Sequence, residues 1–226
     1  MPTAPSLISY TEVSSWTTSG SPKSTASISW QTGDVIVVLA ISEANDAMPV
    51  PTATGLTFSS QKSNVTASTC GMQACTAIAG SSGSGAVSMT NPNGSSAWGF
   101  GVWVFRNSAG VGNSAEQHTS TKTVSLTPTG AHSAIVWALG DFAAGALQTI
   151  TPTPTDTRQR ALDSGRYTFY VADLTDQASA GAVSYGISGS GSGPFSIGVV
   201  EVKGSLDLPP LLDGKPDLRS DTLLRM

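Results

Sequence analysis

Seven consecutive apolar residues at positions 35–41 constrain the fold of this chain more than any other stretch, and five of them are Val or Ile. A turn signal at Gly33 precedes the run, and a short segment from Ile28 to Trp30 precedes the turn. A run rich in β-branched residues and opened by a turn is typical of a strand that is covered on both faces. We therefore predict a hairpin over residues 28–41, with its second strand in the middle of a β-sandwich.

Two further segments, residues 98–105 and 196–202, have the same apolar character. Elsewhere, shorter stretches of alternating apolar and polar residues are separated by turns rich in Gly, Ser, Asn and Pro. This spacing predicts about 12 strands, and no stretch has a convincing helical pattern. The predicted fold is an all-β, antiparallel, jelly-roll-like β-sandwich that forms a single domain over residues 1–203.

The composition limits the kinds of partner. Charged residues make up 12% of the 226 residues, and the net charge is −4. A surface of this kind is coated with hydroxyl groups and has no basic patch, so we expect no binding to nucleic acid or to an anionic membrane. No stretch approaches the roughly 18 apolar residues that a membrane span needs. The first residues lack the features of a secretory signal, so we expect synthesis in the cytoplasm.

The two cysteines, Cys70 and Cys75, leave three alternatives open. They can be free thiols that pack as small apolar side chains on a buried strand. They can form a disulfide across a tight loop in an oxidising environment, or they can contribute to a metal site. Only His118 and His132 could add imidazole ligands, so we predict no metal site. Of the other two alternatives, we favour free thiols.

The last segment, residues 204–226, differs from the rest of the chain. It is rich in charge and contains three prolines, yet it has too many leucines for a purely solvating linker. We therefore predict an extended C-terminal arm that lies along a neighbouring subunit or a larger assembly. Its leucines are the predicted assembly contacts: Leu206, Leu208, Leu211, Leu212, Leu218, Leu223 and Leu224.

No combination of residues indicates an enzyme. Glycoside hydrolysis needs two carboxylates about 5 to 10 Å apart across a cleft, and the acidic residues form no dense motif on one strand. Nucleophilic hydrolysis needs a Ser near a His and an acid, and no Gly-x-Ser-x-Gly elbow lies between a strand and a helix. We predict no catalytic residue and no cofactor, and a glycan hydrolase is the least favoured function. The acids considered are Glu43, Asp46, Glu116, Asp141, Asp173, Asp176 and Glu201.

With its strands laid out, the chain resembles the jelly-roll or concanavalin-like β-sandwich proteins found among minor tail and other virion proteins of tailed bacteriophages, especially those that infect actinobacteria. The resemblance rests on Trp30 and the turn and run at 33–38, on residues 98–105 and on residues 196–202, and it covers about residues 6–203. It implies a structural virion protein that is made in the host cytoplasm, contacts other virion proteins and forms a homo-oligomer. A minor tail or tail-tip position is implied ahead of head decoration.

An alternative function is a carbohydrate-binding adhesin module that contacts glycans of the host envelope. Aromatic rings stack on sugars, and nearby polar groups bind the hydroxyls. The candidate glycan contacts in the loops are Trp16, Asn45, Asp46 and Tyr185. Exposed aromatic rings beside polar groups at one rim favour sugar binding, whereas buried rings favour a structural role.

Overall fold

The computed structural model describes residues 2–43, 47–66, 70–93, 95–118, 121–141, 146–163, 167–188 and 194–206. Within these ranges all of the regular secondary structure is β-strand, and neighbouring strands in each sheet pair antiparallel. The predicted all-β, antiparallel class is therefore confirmed. The described residues form 18 strands rather than about 12, because several strands have only two or three residues. The jelly-roll order of strands stays a prediction.

The strands in chain order are β1 (Pro2–Thr3), β2 (Ser6–Glu12), β3 (Lys23–Ser24), β4 (Ile28–Trp30), β5 (Val35–Ser42), β6 (Ser59–Thr66), β7 (Cys70–Ile78), β8 (Gly83–Gly85), β9 (Ser88–Met89), β10 (Trp98–Arg106), β11 (Ser108–Gln117), β12 (Thr123–Leu126), β13 (Ser133–Asp141), β14 (Ile150–Thr151), β15 (Asp156–Asp163), β16 (Tyr167–Gln177), β17 (Val183–Ile187) and β18 (Phe195–Leu206). Two large sheets dominate. The first sheet has the order β2-β10-β5-β7-β6. The second has the order β1-β18-β13-β16-β15, and β11 also pairs with β18. A three-stranded sheet, β12-β17-β14, and two short ribbons complete the fold.

Strand β5 is the centre of the first sheet, as its sequence predicts. It pairs with β10 on one side and β7 on the other, and all eight of its residues are buried. The predicted hairpin is wrong, however, because β4 pairs with β8 and not with β5. The glycines of β8 explain this pairing: a Cβ on Gly83 would lie 2.9 Å from Cζ2 of Trp30, so only a residue without a side chain accepts the indole there.

The first hydrophobic core lies between the two large sheets. A Cβ on Gly140 of β13 would lie 2.4 Å from Ile41 Cγ2 of β5, and a Cβ on Gly198 of β18 would lie 2.4 Å from the sulfur of Met72. Large side chains of the first sheet thus fill the space left by glycines of the second. Such close packing fixes how the two sheets face each other.

A second core, which the sequence did not reveal, lies on the opposite face of the second sheet. The three-stranded sheet β12-β17-β14 covers it, and its largest buried side chains are Trp137, Tyr170, Tyr185 and Phe195. All nine residues of β13 are consequently buried. Around the second core the protein therefore has three stacked sheets, whereas a simple sandwich has two.

Four of the outer strands of the large sheets contain a β-bulge or a register shift, and only the two-residue outer strand β1 has none. The extra residue is Ile8 in β2, Gln61 in β6 and Arg158 in β15, and β11 has two register shifts on either side of Val111. A bulge twists an edge strand and interrupts its row of free backbone groups. The edges are therefore poor templates for adding a strand from another chain.

Candidate functional site

Trp16, the first candidate glycan contact, lies inside the protein. Its side chain is 2% exposed, and its ring packs between Gly99 of β10 and Phe169 of β16, with ring centroids 5.8 Å apart in the aromatic pair. Its Nε1 donates a hydrogen bond of 2.9 Å to Glu12. The indole closes one end of the space between the large sheets, so neither ring face is available to a sugar.

Tyr185, the second aromatic candidate, is also buried. It lies in the second core with its ring centroid 5.2 Å from that of Trp137, and its hydroxyl donates a hydrogen bond of 3.3 Å to Gln177. The other two candidates, Asn45 and Asp46, lie outside the described residues. The two described candidates therefore lie in different cores and not together at one rim.

Residues 204–206, the first three of the predicted arm, belong to a β-strand instead. Strand β18 continues to Leu206, whose backbone pairs with Pro2 of β1, so residues 204–206 belong to the second sheet. The hydroxyl groups of Thr3 and Ser205 lie 3.0 Å apart at this corner. The other predicted assembly contacts lie outside the described residues: Leu208, Leu211, Leu212, Leu218, Leu223 and Leu224.

Buried polar groups cluster where β2 meets β15 at one side of the sandwich. Arg158, the bulge residue of β15, donates through Nε and Nη2 to the buried carboxylate of Asp173 and also pairs with Asp156 at 2.6 Å. Trp103 Nε1 donates to the same Asp173 carboxylate at 3.0 Å. The network joins the two large sheets, because Trp103 belongs to the first and Asp173 to the second.

The same cluster extends to Tyr10 of β2. The guanidinium of Arg158 lies over the Tyr10 ring, 5.2 Å from its centroid, and the Tyr10 hydroxyl donates to Glu12 at 2.8 Å. Burial, together with the nearby Glu12 carboxylate, raises the pKa of Tyr10 above its usual value. Every acid named in this cluster thus holds a hydrogen-bond or ion-pair partner within the protein, which is the arrangement of a structural network.

Glu201 of β18 is a second buried carboxylate with many donors. It accepts hydrogen bonds from the backbone N–H of Asn113, the backbone N–H and hydroxyl of Thr129 and the hydroxyl of Ser133, at 2.7 to 3.0 Å. Gly112 leaves the space that the carboxylate occupies, since a Cβ there would lie 2.1 Å from Oε2. The carboxylate therefore fixes the loop before β13 against the bulged strand β11.

The two histidines each contact an acid near the surface. His118 lies 3.2 Å from Glu116, which also accepts a hydrogen bond from Asn64, and His132 lies 3.0 Å from Asp176. No group of three or more His, Cys, Asp or Glu that could hold a metal occurs among the residues that the structure describes. Of the acids weighed for hydrolysis, Asp46 lies outside the described residues, and the other six have different partners in separate places rather than one shared cleft.

A shallow groove of about 370 Å³ on the described surface is lined by Thr52, Ala53, Thr54, Ala86 and Ser88. It lies where the loop before β6 bridges to β9 through paired backbone hydrogen bonds of Thr52 and Ser88. Its lining is neutral and presents only hydroxyl and methyl groups. A groove of this kind has no group that could act as an acid, a base or a nucleophile with a lowered pKa.

The two cysteines lie on opposite faces of β7. Cys70 shares its face with Met72, which contacts the second sheet, whereas Cys75 points to the other face, where Gln73 donates to its sulfur. Five residues of extended chain separate them by about 16 Å, more than twice the Cα distance that a disulfide spans. Both are free thiols, so the favoured alternative is confirmed.

Both thiols are expected to resist a disulfide-exchange reagent in the folded protein at mildly alkaline pH. Burial raises the pKa of Cys70 to about 12 and that of Cys75 to about 11, which suppresses the reactive thiolate, and neither sulfur is exposed. A colorimetric thiol titration should release two equivalents per chain only after unfolding in denaturant. Fast release from folded protein, or fewer than two equivalents after unfolding, would contradict this arrangement.

The buried charges were not found from the sequence. Arg158 and Lys122 belong to no recognisable sequence motif, and their roles depend on side chains from distant strands. The one local signal was that Asp141, Asp173 and Glu201 interrupt or border apolar strand segments, which is too common to identify a network.

Comparisons with known proteins give no family. No protein-family model, no curated protein and no solved structure matches the chain. Within the described ranges, no helix is long and apolar enough to cross a membrane.

Proposed function

We propose that the chain is a structural component of a bacteriophage virion, a minor tail or tail-tip protein held in the particle through residues 207–226. Strand β18 is the observation that carries the proposal. It is hydrogen-bonded to β13 and β11 along its length and ends at Leu206, so it is a firm base for the leucine-rich segment that follows. The proposal also rests on the family resemblance and the hydroxyl-rich, weakly charged sequence.

The bulged edge strands support attachment through a terminal segment. A β-sandwich can assemble by pairing edge strands, but four outer strands of the large sheets are irregular and the fifth, β1, has only two residues. The buried acids of the described domain are occupied by internal donors, which favours a rigid scaffold over a catalytic site. The leucines beyond Leu206 are then the main group of apolar side chains for contact with another protein.

Particle incorporation tests the proposal. In the phage that encodes this chain, replacing Leu211, Leu212, Leu223 and Leu224 by Ser is expected to lower the amount of the protein in purified particles by more than about tenfold, because the proposed attachment buries these leucines against another protein. Quantitative immunoblotting measures the loss. The matched control, Ile8→Ser and Leu147→Ser at exposed apolar positions of the domain, should be incorporated normally.

Equal incorporation of the leucine variant and the control would refute attachment through this segment. Absence of the wild-type chain from purified particles would refute the virion role itself. Immunogold labelling distinguishes the tail from head decoration. Glycan binding has no specific support from the aromatic candidates, because Trp16 and Tyr185 are buried.

A further inference from the structure

Lys122 and Asp141 form a buried amine–carboxylate contact that the proposed function does not use. Lys122 Nζ lies 2.6 Å from Asp141 Oδ2, and the two side chains are 5% and 0% exposed. Among the lysines that the structure describes, Lys122 alone is buried. Neither residue belongs to the segment proposed to hold the protein in a particle.

Both partners are held in place through their backbones. The carbonyl of Lys122 accepts a hydrogen bond of 3.1 Å from Ile187, and Gly186 packs so closely that a Cβ there would lie 2.0 Å from this carbonyl oxygen. Asp141 is the last residue of β13 and pairs with Thr168 on one side and Phe195 on the other. The amine and the carboxyl group are therefore presented to each other by fixed elements.

The pair borders the second core. Lys122 directly precedes β12, whose Val124 belongs to that core, and Asp141 lies on the same face of β13 as Leu139 and Trp137. The hydrogen bond from Lys122 Nζ to Asp141 Oδ2 is a path along which one proton can pass from the amine to the carboxylate. The proposed reaction begins with this transfer, since a neutral amine and a carboxylic acid are the reactants for amide formation.

We propose that Lys122 and Asp141 join in an intramolecular isopeptide bond. The Lys122 amine attacks the carboxyl carbon of Asp141, so that a C–N bond forms and the bond from this carbon to its hydroxyl oxygen breaks. The neutral amine carries two protons: one stays on the nitrogen as the amide N–H, and the other joins the departing hydroxyl, so that one water molecule leaves. No oxidant, reductant or activated co-reactant is needed.

Fixed geometry and exclusion of water favour this condensation. Groups held at contact distance react as if present at about 10⁵ to 10⁸ M in well-oriented cases, which offsets the unfavourable balance of amide formation in dilute aqueous solution. Low exposure of both side chains also limits the return reaction with water. The product covalently ties the segment before β12 to the end of β13.

Mass spectrometry of the purified full-length chain tests the bond. The intact mass under denaturing conditions is expected to be one water below the sequence mass. Trypsin should fail to cut after Lys122 and release residues 107–158 as one looped peptide that also lacks one water, since Lys122 is the only tryptic site inside that stretch. Fragmentation then locates the link at Lys122 and Asp141.

Variants separate this reaction from other dehydrations. Lys122→Met should restore the full mass, whereas Lys62→Met, at a lysine that is not buried, should keep the loss of one water. Succinimide formation at Asp213-Gly214 also removes water but needs no lysine. A wild-type chain of full mass, normal cleavage after Lys122, or a water loss that persists in Lys122→Met would each overturn the proposal. The looped wild-type peptide decides the question even if Lys122→Met does not fold.

Discussion

Replacing Asp173 by Ala is expected to lower the free energy of unfolding by about 3–5 kcal/mol, because it removes one partner of a buried ion pair. The variant leaves the Arg158 guanidinium without its main partner and Trp103 Nε1 without its acceptor. It also removes the link between the two large sheets at this side. Denaturant unfolding followed by tryptophan fluorescence measures the loss, and the wild type supplies the reference.

The matched control for this variant is Asp176→Ala, three residues later on the same strand. Asp176 is 50% exposed and contacts only the surface residue His132 in the described ion pairs, so a change of about 0.5 kcal/mol or less is expected. A double variant, Arg158→Met with Asp173→Leu, should recover part of the stability, since it leaves no buried charge unpaired. A loss below about 1 kcal/mol for Asp173→Ala would show that the pair is not integral to the core.

Trp16→Ala is expected to cost about 3–5 kcal/mol, as large-to-small substitutions of buried aromatic residues do. The indole fills the end of the space between the sheets, against Gly99 and Phe169, and its removal leaves a cavity. Thermal and denaturant unfolding measure the cost. This outcome is opposite to that for a sugar-stacking residue, whose removal leaves stability nearly unchanged and weakens binding instead.

Two further substitutions sharpen the result for Trp16. Trp16→Phe keeps most of the packing and removes the donor to Glu12, so a smaller loss of about 1–2 kcal/mol is expected. Val50→Ala, at an exposed apolar residue, should change stability by less than about 0.5 kcal/mol. Equal stability of Trp16→Ala and wild type would mean that the ring lies at the surface.

The long apolar strands could be predicted from the sequence because burial on both faces removes the polar positions. Strands β5, β10 and β18 gave continuous apolar segments for this reason, and β5 indeed occupies the centre of its sheet. Their partners could not be predicted in the same way. The pairing of β4 with β8 depends on the fit of Trp30 against Gly83, more than 50 residues away in the sequence.

Whether a single side chain points into the core or to solvent could not be predicted from the sequence, for a related reason. Trp16 lies among polar loop residues, so its sequence allowed both a lid over one end of the sandwich and an exposed platform for a sugar. Gly99 decides between them, because it provides a place for the ring in the core. Arg158 lies in an edge strand, where a charged residue ordinarily faces solvent, but the bulge turns it toward Asp173. Both outcomes depend on contacts between distant segments, which local composition does not report.

The position of β18 also determines how the domain responds to mechanical load. A pull transmitted from beyond Leu206 runs along the strand, while the hydrogen bonds to β13 and β11 lie across it. The force is thus shared by many bonds that must shear at once, instead of opening one after another. Only the short pairing with β1 at the corner can be peeled apart first. A tether attached at this point would therefore load the sheet in the direction in which it resists most strongly.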